Sequence, residues 1–151
     1  MIIALPVVPA GSAEVVIAVN EDVGETIGWP ELATTVADVY RELPDRERAV
    51  ILADNYGQAG AIDRFGPALG LPRAYSGHNA YGDWGPPSSP PGPVIAIGQV
   101  GEQAFLRDCT VAARIDNEAG IENSEYGSPV FVCVGPRSSW SEVWPALRHL
   151  G

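Results

Sequence analysis

The chain has 151 residues, enough for one domain with a real hydrophobic core. Hydrophobic residues make up 46% and charged residues 19%, which excludes a disordered chain. The net charge is −10 and every one of the nine strongly basic residues is arginine, so the footprint for nucleic acid or an anionic membrane surface is absent.

The first residues, Ile2 to Val8, are apolar but too short to span a bilayer and broken by Pro6. No basic stretch precedes them, so a signal peptide is not expected. A plain start and the trimmed end of something longer both fit. Glu14 to Asn20 reads as a short strand. Pro30 suits a first helical turn, and Leu32, Val36, Val39, Tyr40 and Leu43 share one face, so a helix is expected from Pro30 to Leu43.

Ala49 to Ala53 is a continuous apolar run, the pattern of a strand buried on both faces. A second helix is expected over Gln58 to Leu69, with Ile62, Phe65 and Leu69 inward, Pro67 disturbing its end and Gly70 closing it. Leu71 to Ser76 holds a short strand, and residues 77 to 93 carry little regular structure. Val94 to Ile97 is another buried-type strand, followed by a helix near Glu102 to Arg107. Cys109 to Ile115 and Pro129 to Val134 read as strands around a polar loop, Asp116 to Ser128. Ser139 and Glu142 have capping-box spacing ahead of a last helix, whose inner face carries Trp140, Val143, Trp144 and Leu147. Arg148 and His149 sit at its C-terminus, where positive charge is favourable.

Strands alternating with helices predict one α/β domain over residues 1–151. The expected architecture is an open, mostly parallel sheet with helices on both faces, a three-layer Rossmann- or flavodoxin-like arrangement.

Two stretches carry chemistry. Asn55, Tyr56, Gly57 and Gly60 follow a buried strand and open a helix, where free N–H groups can hold an anion. The spacing is only G-x-x-G, which also describes a tight strand-to-helix turn. Gly98 and Gly101 repeat it. The second stretch contains Ser76, Gly77, His78, Asn79, Tyr81 and Trp84. Rings interleaved with polar side chains suit a sugar, whose apolar face stacks while its hydroxyls bond. A self-packed loop with Asn79 capping backbone groups is the alternative. Ser76 and His78 are too close in sequence for a nucleophile and its base, so no catalytic residue is assigned. Asp54 and Asp63 fit either acid–base work or helix capping. Asn117, Glu118, Asn123 and Glu125 offer oxygen ligands without the EF-hand spacing, so a solvated loop is expected there and no metal site. Cys109 and Cys133 fit equally two buried thiols or one bridge.

The run NYGQAGAIDRFGPALGLPRAYSGHNAYGDWGPP, Asn55 to Pro87, resembles the extracytoplasmic C-terminal region of bacterial family-39 glycosyltransferases. These are GT-C-type membrane enzymes, similar to protein mannosyltransferases and aminoarabinose transferases. Gly24 to Leu32, Ala113 to Arg137 and Trp140 to Gly151 extend the resemblance to nearly the whole chain. It implies a soluble accessory domain on the outer face of the cell membrane. Its partner would be the membrane-embedded part of the same enzyme, and its ligand a sugar or glycolipid. The whole enzyme would use a polyprenyl-phosphate sugar donor, with the catalytic acid outside this chain. Residues 1–9 would then be the stub after a membrane helix, and an oxidising setting favours a Cys109–Cys133 bridge. The rival expectation is a free-standing doubly wound binder of small molecules or sugar phosphates, seated on the Gly57/Gly60 helix start.

Overall fold

The computed structural model describes residues 28–88, 90–116 and 125–149. The expected strand at Glu14 to Asn20, the proposed stub at residues 1–9 and Asn117, Glu118 and Asn123 lie outside the described residues. Helix α1 spans Trp29–Glu42, with Pro30 in its first turn and Gly28 ahead of it at φ 94°. Strand β1 is Val50–Ala53, followed by α2, Tyr56–Phe65. Pro67 ends the α-helix early, and Pro67–Leu69 form one 3₁₀ turn instead. Strand β2 is only Ala74–Tyr75. The aromatic loop holds a short helix, α3, at Asn79–Asp83, inside the stretch expected to be irregular.

After β3, Val94–Ile97, the expected helix at Glu102 to Arg107 does not form. A 3₁₀ turn occupies Gly98–Glu102, and Leu106–Arg107 is a short strand, β4. Strands β5, Thr110–Arg114, and β6, Pro129–Cys133, follow, then the two-residue β7, Gly135–Pro136, and α4, Trp140–Leu147.

The main sheet has order β2-β1-β3-β6-β5, and β4 pairs with β7 in a separate ribbon. Strands β2, β1 and β3 run parallel, whereas β6 is antiparallel to both β3 and β5. The mostly parallel, three-layer Rossmann- or flavodoxin-like expectation is therefore wrong, and the architecture is a mixed α/β sheet. A parallel neighbour needs a crossover of about a dozen residues or more, usually helical. After β3 the chain spends its connection on the 3₁₀ turn and β4 and enters the sheet at its far edge as β5, and β6 then returns between β5 and β3, antiparallel to both.

Strand alternation divides the core. Ile51, Ala53, Ile95, Ile97 and Val130 face α1 and α2, against Leu32, Val36, Ala59 and Ile62. Val50, Leu52, Val94, Ala96 and Phe131 face the other way, against Trp140, Val143 and Trp144 of α4. That second face is covered by one two-turn helix, the 3₁₀ turn and the β4–β7 ribbon rather than by a helical layer. Helix α4 holds the expected capping box, with the Ser139 N–H donating to Glu142 Oε2 at 3.1 Å. Among the described residues, no helix is long and apolar enough to cross a membrane.

Cys109 and Cys133 form a disulfide. Thr110 pairs with Val132, so one step outward brings Cys109 beside Cys133 across the β5–β6 ladder. The bridge staples an edge strand whose side chains are mostly exposed. It closes a loop of sequence separation 24. Chain entropy puts its contribution at about 3 kcal/mol. The Cys109→Ala/Cys133→Ala variant is expected to unfold in urea with a stability lower by about that amount. Equal midpoints for the two proteins would contradict the stapling role.

Candidate functional site

Strands β1 and β3 end side by side, at Ala53 and Ile97. Ligands of α/β sheets gather beyond such carboxyl ends. Asp54 comes directly after β1, and its N–H donates to the Ile97 carbonyl at 3.1 Å. Its carboxylate faces the backbone amides of Gln99 and Val100 at the start of the 3₁₀ turn after β3. Burial pushes its pKa up, while His149, His78 and those two amides pull it down. Gly98 has φ 82°, and a Cβ there would lie 3.0 Å from Asp54 Cβ.

The loop after β2 supplies the second wall. Ser76 is fully buried, and its Oγ accepts from the His78 N–H at 3.2 Å. Gly77 lies directly under the Leu147 carbonyl, so closely that a Cβ would overlap it. This approach lets the chain end of α4 lie parallel to the loop, bridging His78 to His149. The His149 N–H donates to the Gly77 carbonyl and the Asn79 N–H to the His149 carbonyl, both at 3.0 Å. Trp144 Nε1 donates to the Gly82 carbonyl at 3.1 Å, and Arg148 pairs with Asp83.

The two imidazoles stack, with centroids 4.6 Å apart and planes 12° from parallel. His78 Nδ1 receives the Tyr56 N–H at 3.4 Å, which places the proton of the neutral ring on Nε2. That Nε2 is buried and has no hydrogen-bond partner among the described residues. His149 Nδ1 donates to the Leu147 carbonyl at 2.8 Å, leaving the lone pair on Nε2 of the neutral ring. Beside this stack lies a cleft of about 200 Å³, lined among others by Asp54, Gly77, Val100, Phe105, Leu147 and His149.

The anion-binding expectation for Asn55, Tyr56, Gly57 and Gly60 meets a helix start already satisfied from within. Asn55 Oδ1 accepts from the Gln58 N–H at 2.9 Å, and the Tyr56 N–H goes to His78. Asn55 Nδ2 donates to Glu125 Oε1 at 3.2 Å, and Gln58 Nε2 donates to Glu125 Oε2. Gly57 packs near Trp29, and a Cβ at Gly60 would meet only the Tyr81 hydroxyl, at 4.0 Å. Gly101 is small because the Phe131 ring lies on it. A buried carboxylate, Glu125, thus does work that sequence reasoning assigned to a solvated loop.

Tyr81 and Trp84 do not line the cleft. Tyr81 packs against the α1–α2 core and donates to Asp63 Oδ2 at 2.8 Å. Burial, then the bond to Asp63, pushes its pKa up to about 12, so it stays a neutral donor. Trp84 tilts on Tyr81 at 4.5 Å and is 60% exposed. The structure therefore brings Gly77 to the cleft, with Ser76, His78 and Asn79 next to it along the same loop. It adds Asp54 and His149, which sequence reasoning read as a cap or acid–base group and as a helix-end cation. No sequence signal joined residue 78 to residue 149. Asp54 and Asp63 are not a pair: one lines the cleft and the other holds Tyr81 and the Ala74 N–H.

Burial and His149 hold the His78 pKa below 6.5, with Asp54 opposing. The unfolded chain then binds the proton first, so this contribution is present above pH 6.5 and is lost as pH falls through the folded value. Asp54 acts in the opposite sense at lower pH, because its folded pKa lies above 3.8. Urea unfolding at about pH 7.5 and about pH 5.5 is expected to show stability falling on acidification, and falling less in His78→Gln. Identical pH dependence in the two proteins would contradict this. No protein-family model, curated protein or solved structure matches this chain, so its function is argued from this geometry and from the resemblance alone.

Proposed function

We propose that this chain is an extracytoplasmic accessory domain of a membrane glycosyltransferase that uses a polyprenyl-phosphate sugar donor. It helps hold the donor sugar or the acceptor, and the catalytic acid belongs to the membrane-embedded part of the enzyme. The observation that carries this reading is the Cys109–Cys133 disulfide. Disulfides persist in oxidising compartments and are rare in the cytosol. The resemblance of Asn55 to Pro87 supplies the enzyme class. That run is not a loose linker: it builds α2, β2 and α3 and supplies Gly77 to the cleft.

The rival, a free-standing sugar-phosphate binder on the start of α2, loses two of its donors to Asn55 and His78. The amides of Gln99 and Val100 at the other glycine pair face the Asp54 carboxylate, which disfavours a second anion there.

The purified 151-residue chain is expected to give no sugar transfer from a polyprenyl-phosphate mannose donor above the protein-free background. Deleting the domain from an enzyme that carries it is expected to lower transfer by about tenfold or more, or at least about 1.4 kcal/mol of transition-state stabilisation. Robust transfer by the isolated chain, or full activity without the domain, would overturn the reading.

A further inference from the structure

We infer that the cleft beyond β1 and β3 binds a single uncharged, hydroxyl-rich ring, a monosaccharide unit, between Asp54 and His149. The inference rests on the functional reading above for its setting and on the cleft for its chemistry. Size limits the ligand first. About 200 Å³ is below the roughly 300–1,000 Å³ of sites for drug-sized molecules, so a nucleotide or a chain of sugars does not fit inside.

Polarity limits it next. The Asp54 carboxylate lines the cleft and, when ionised, only accepts hydrogen bonds. His149 Nε2 offers a lone pair, because Nδ1 is spent on the Leu147 carbonyl. The Gln103 amide stands on the same wall, able to donate and accept. Such a set takes hydroxyl groups. An anion would meet a carboxylate and a lone pair in a chain already at −10. The remaining walls, Val100, Phe105 and Leu147, are hydrocarbon. They suit the apolar face of a pyranose and disfavour an ammonium group, which would leave water for one counter-charge.

The test is titration of the 151-residue chain by NMR with D-mannose, D-glucose and D-galactose, beside mannose 6-phosphate and ethanolamine. At least one neutral sugar is expected to shift the His149 ring and Phe105 resonances in a saturable way, more tightly than the phosphate or the amine. Ala146→Phe changes an exposed helix position that lines the cleft, and it is expected to weaken that binding at least tenfold with the fold's spectrum unchanged. Three results would overturn the inference: no saturable shift with any neutral sugar, tighter binding of the phosphate or amine, or equal binding by Ala146→Phe. Cleft binding by a domain whose deletion leaves transfer intact would sink the functional reading alone. Loss of transfer on deletion without sugar binding would sink the cleft alone.

Discussion

Between Gly77 and the carbonyl of Leu147 there is no room for even a methyl group. The candidate site depends on this contact. Because residue 77 has no side chain, the end of α4 lies flat along the loop after β2. Two backbone hydrogen bonds then fix His149 beside His78. Gly82 repeats the device one helical turn on, where a Cβ would lie 2.5 Å from the Gly77 carbonyl. The Trp144 indole N–H donates to the Gly82 carbonyl from α4. The glycines of the loop thus serve close approach of two chain segments, and the cleft is the space left at the edge of that approach.

The rest of the structure holds those segments in place. β1 and β3 deliver Asp54 and the 3₁₀ turn to the same edge, and the Asp54 N–H joins them by donating to the Ile97 carbonyl. Glu125, arriving from the β5–β6 connection, fixes Asn55 and Gln58 at the start of α2. Asp63 and Tyr81 tie α2 to α3. The imidazole stack sits beside the start of α2, where His78 Nδ1 accepts from the Tyr56 N–H. A cleft made this way has its charged groups largely committed to the protein, which suits recognition of neutral hydroxyls better than proton transfer.

Much of the fold was legible in the sequence, because the signals were local. The continuous apolar runs of β1 and β3, the periodicity of α1 and the Ser139/Glu142 cap each appear where the pattern placed them. Sheet direction was not legible. It turned on β6, which enters between β3 and β5 antiparallel to both, a pairing that no local pattern encodes. The site was legible only on one side. The 76–79 stretch announced itself by its polar and aromatic residues, but Asp54 and His149 looked like ordinary helix-end residues. Their role comes from a contact between positions 71 residues apart, Gly77 steric need and His78 register together, which no periodicity encodes.

Amide hydrogen exchange in Gly77→Ala tests this central contact most directly. Gly77 is not among the positive-φ glycines, so the substitution tests space and not backbone freedom. The N–H groups of Asn79 and His149 are predicted to lose protection in the variant, while the sheet amides of Ile95 and Val132 keep theirs. Unchanged protection at Asn79 and His149 would show that the C-terminal segment is not held by its approach to Gly77, and the account of how the cleft is built would fail.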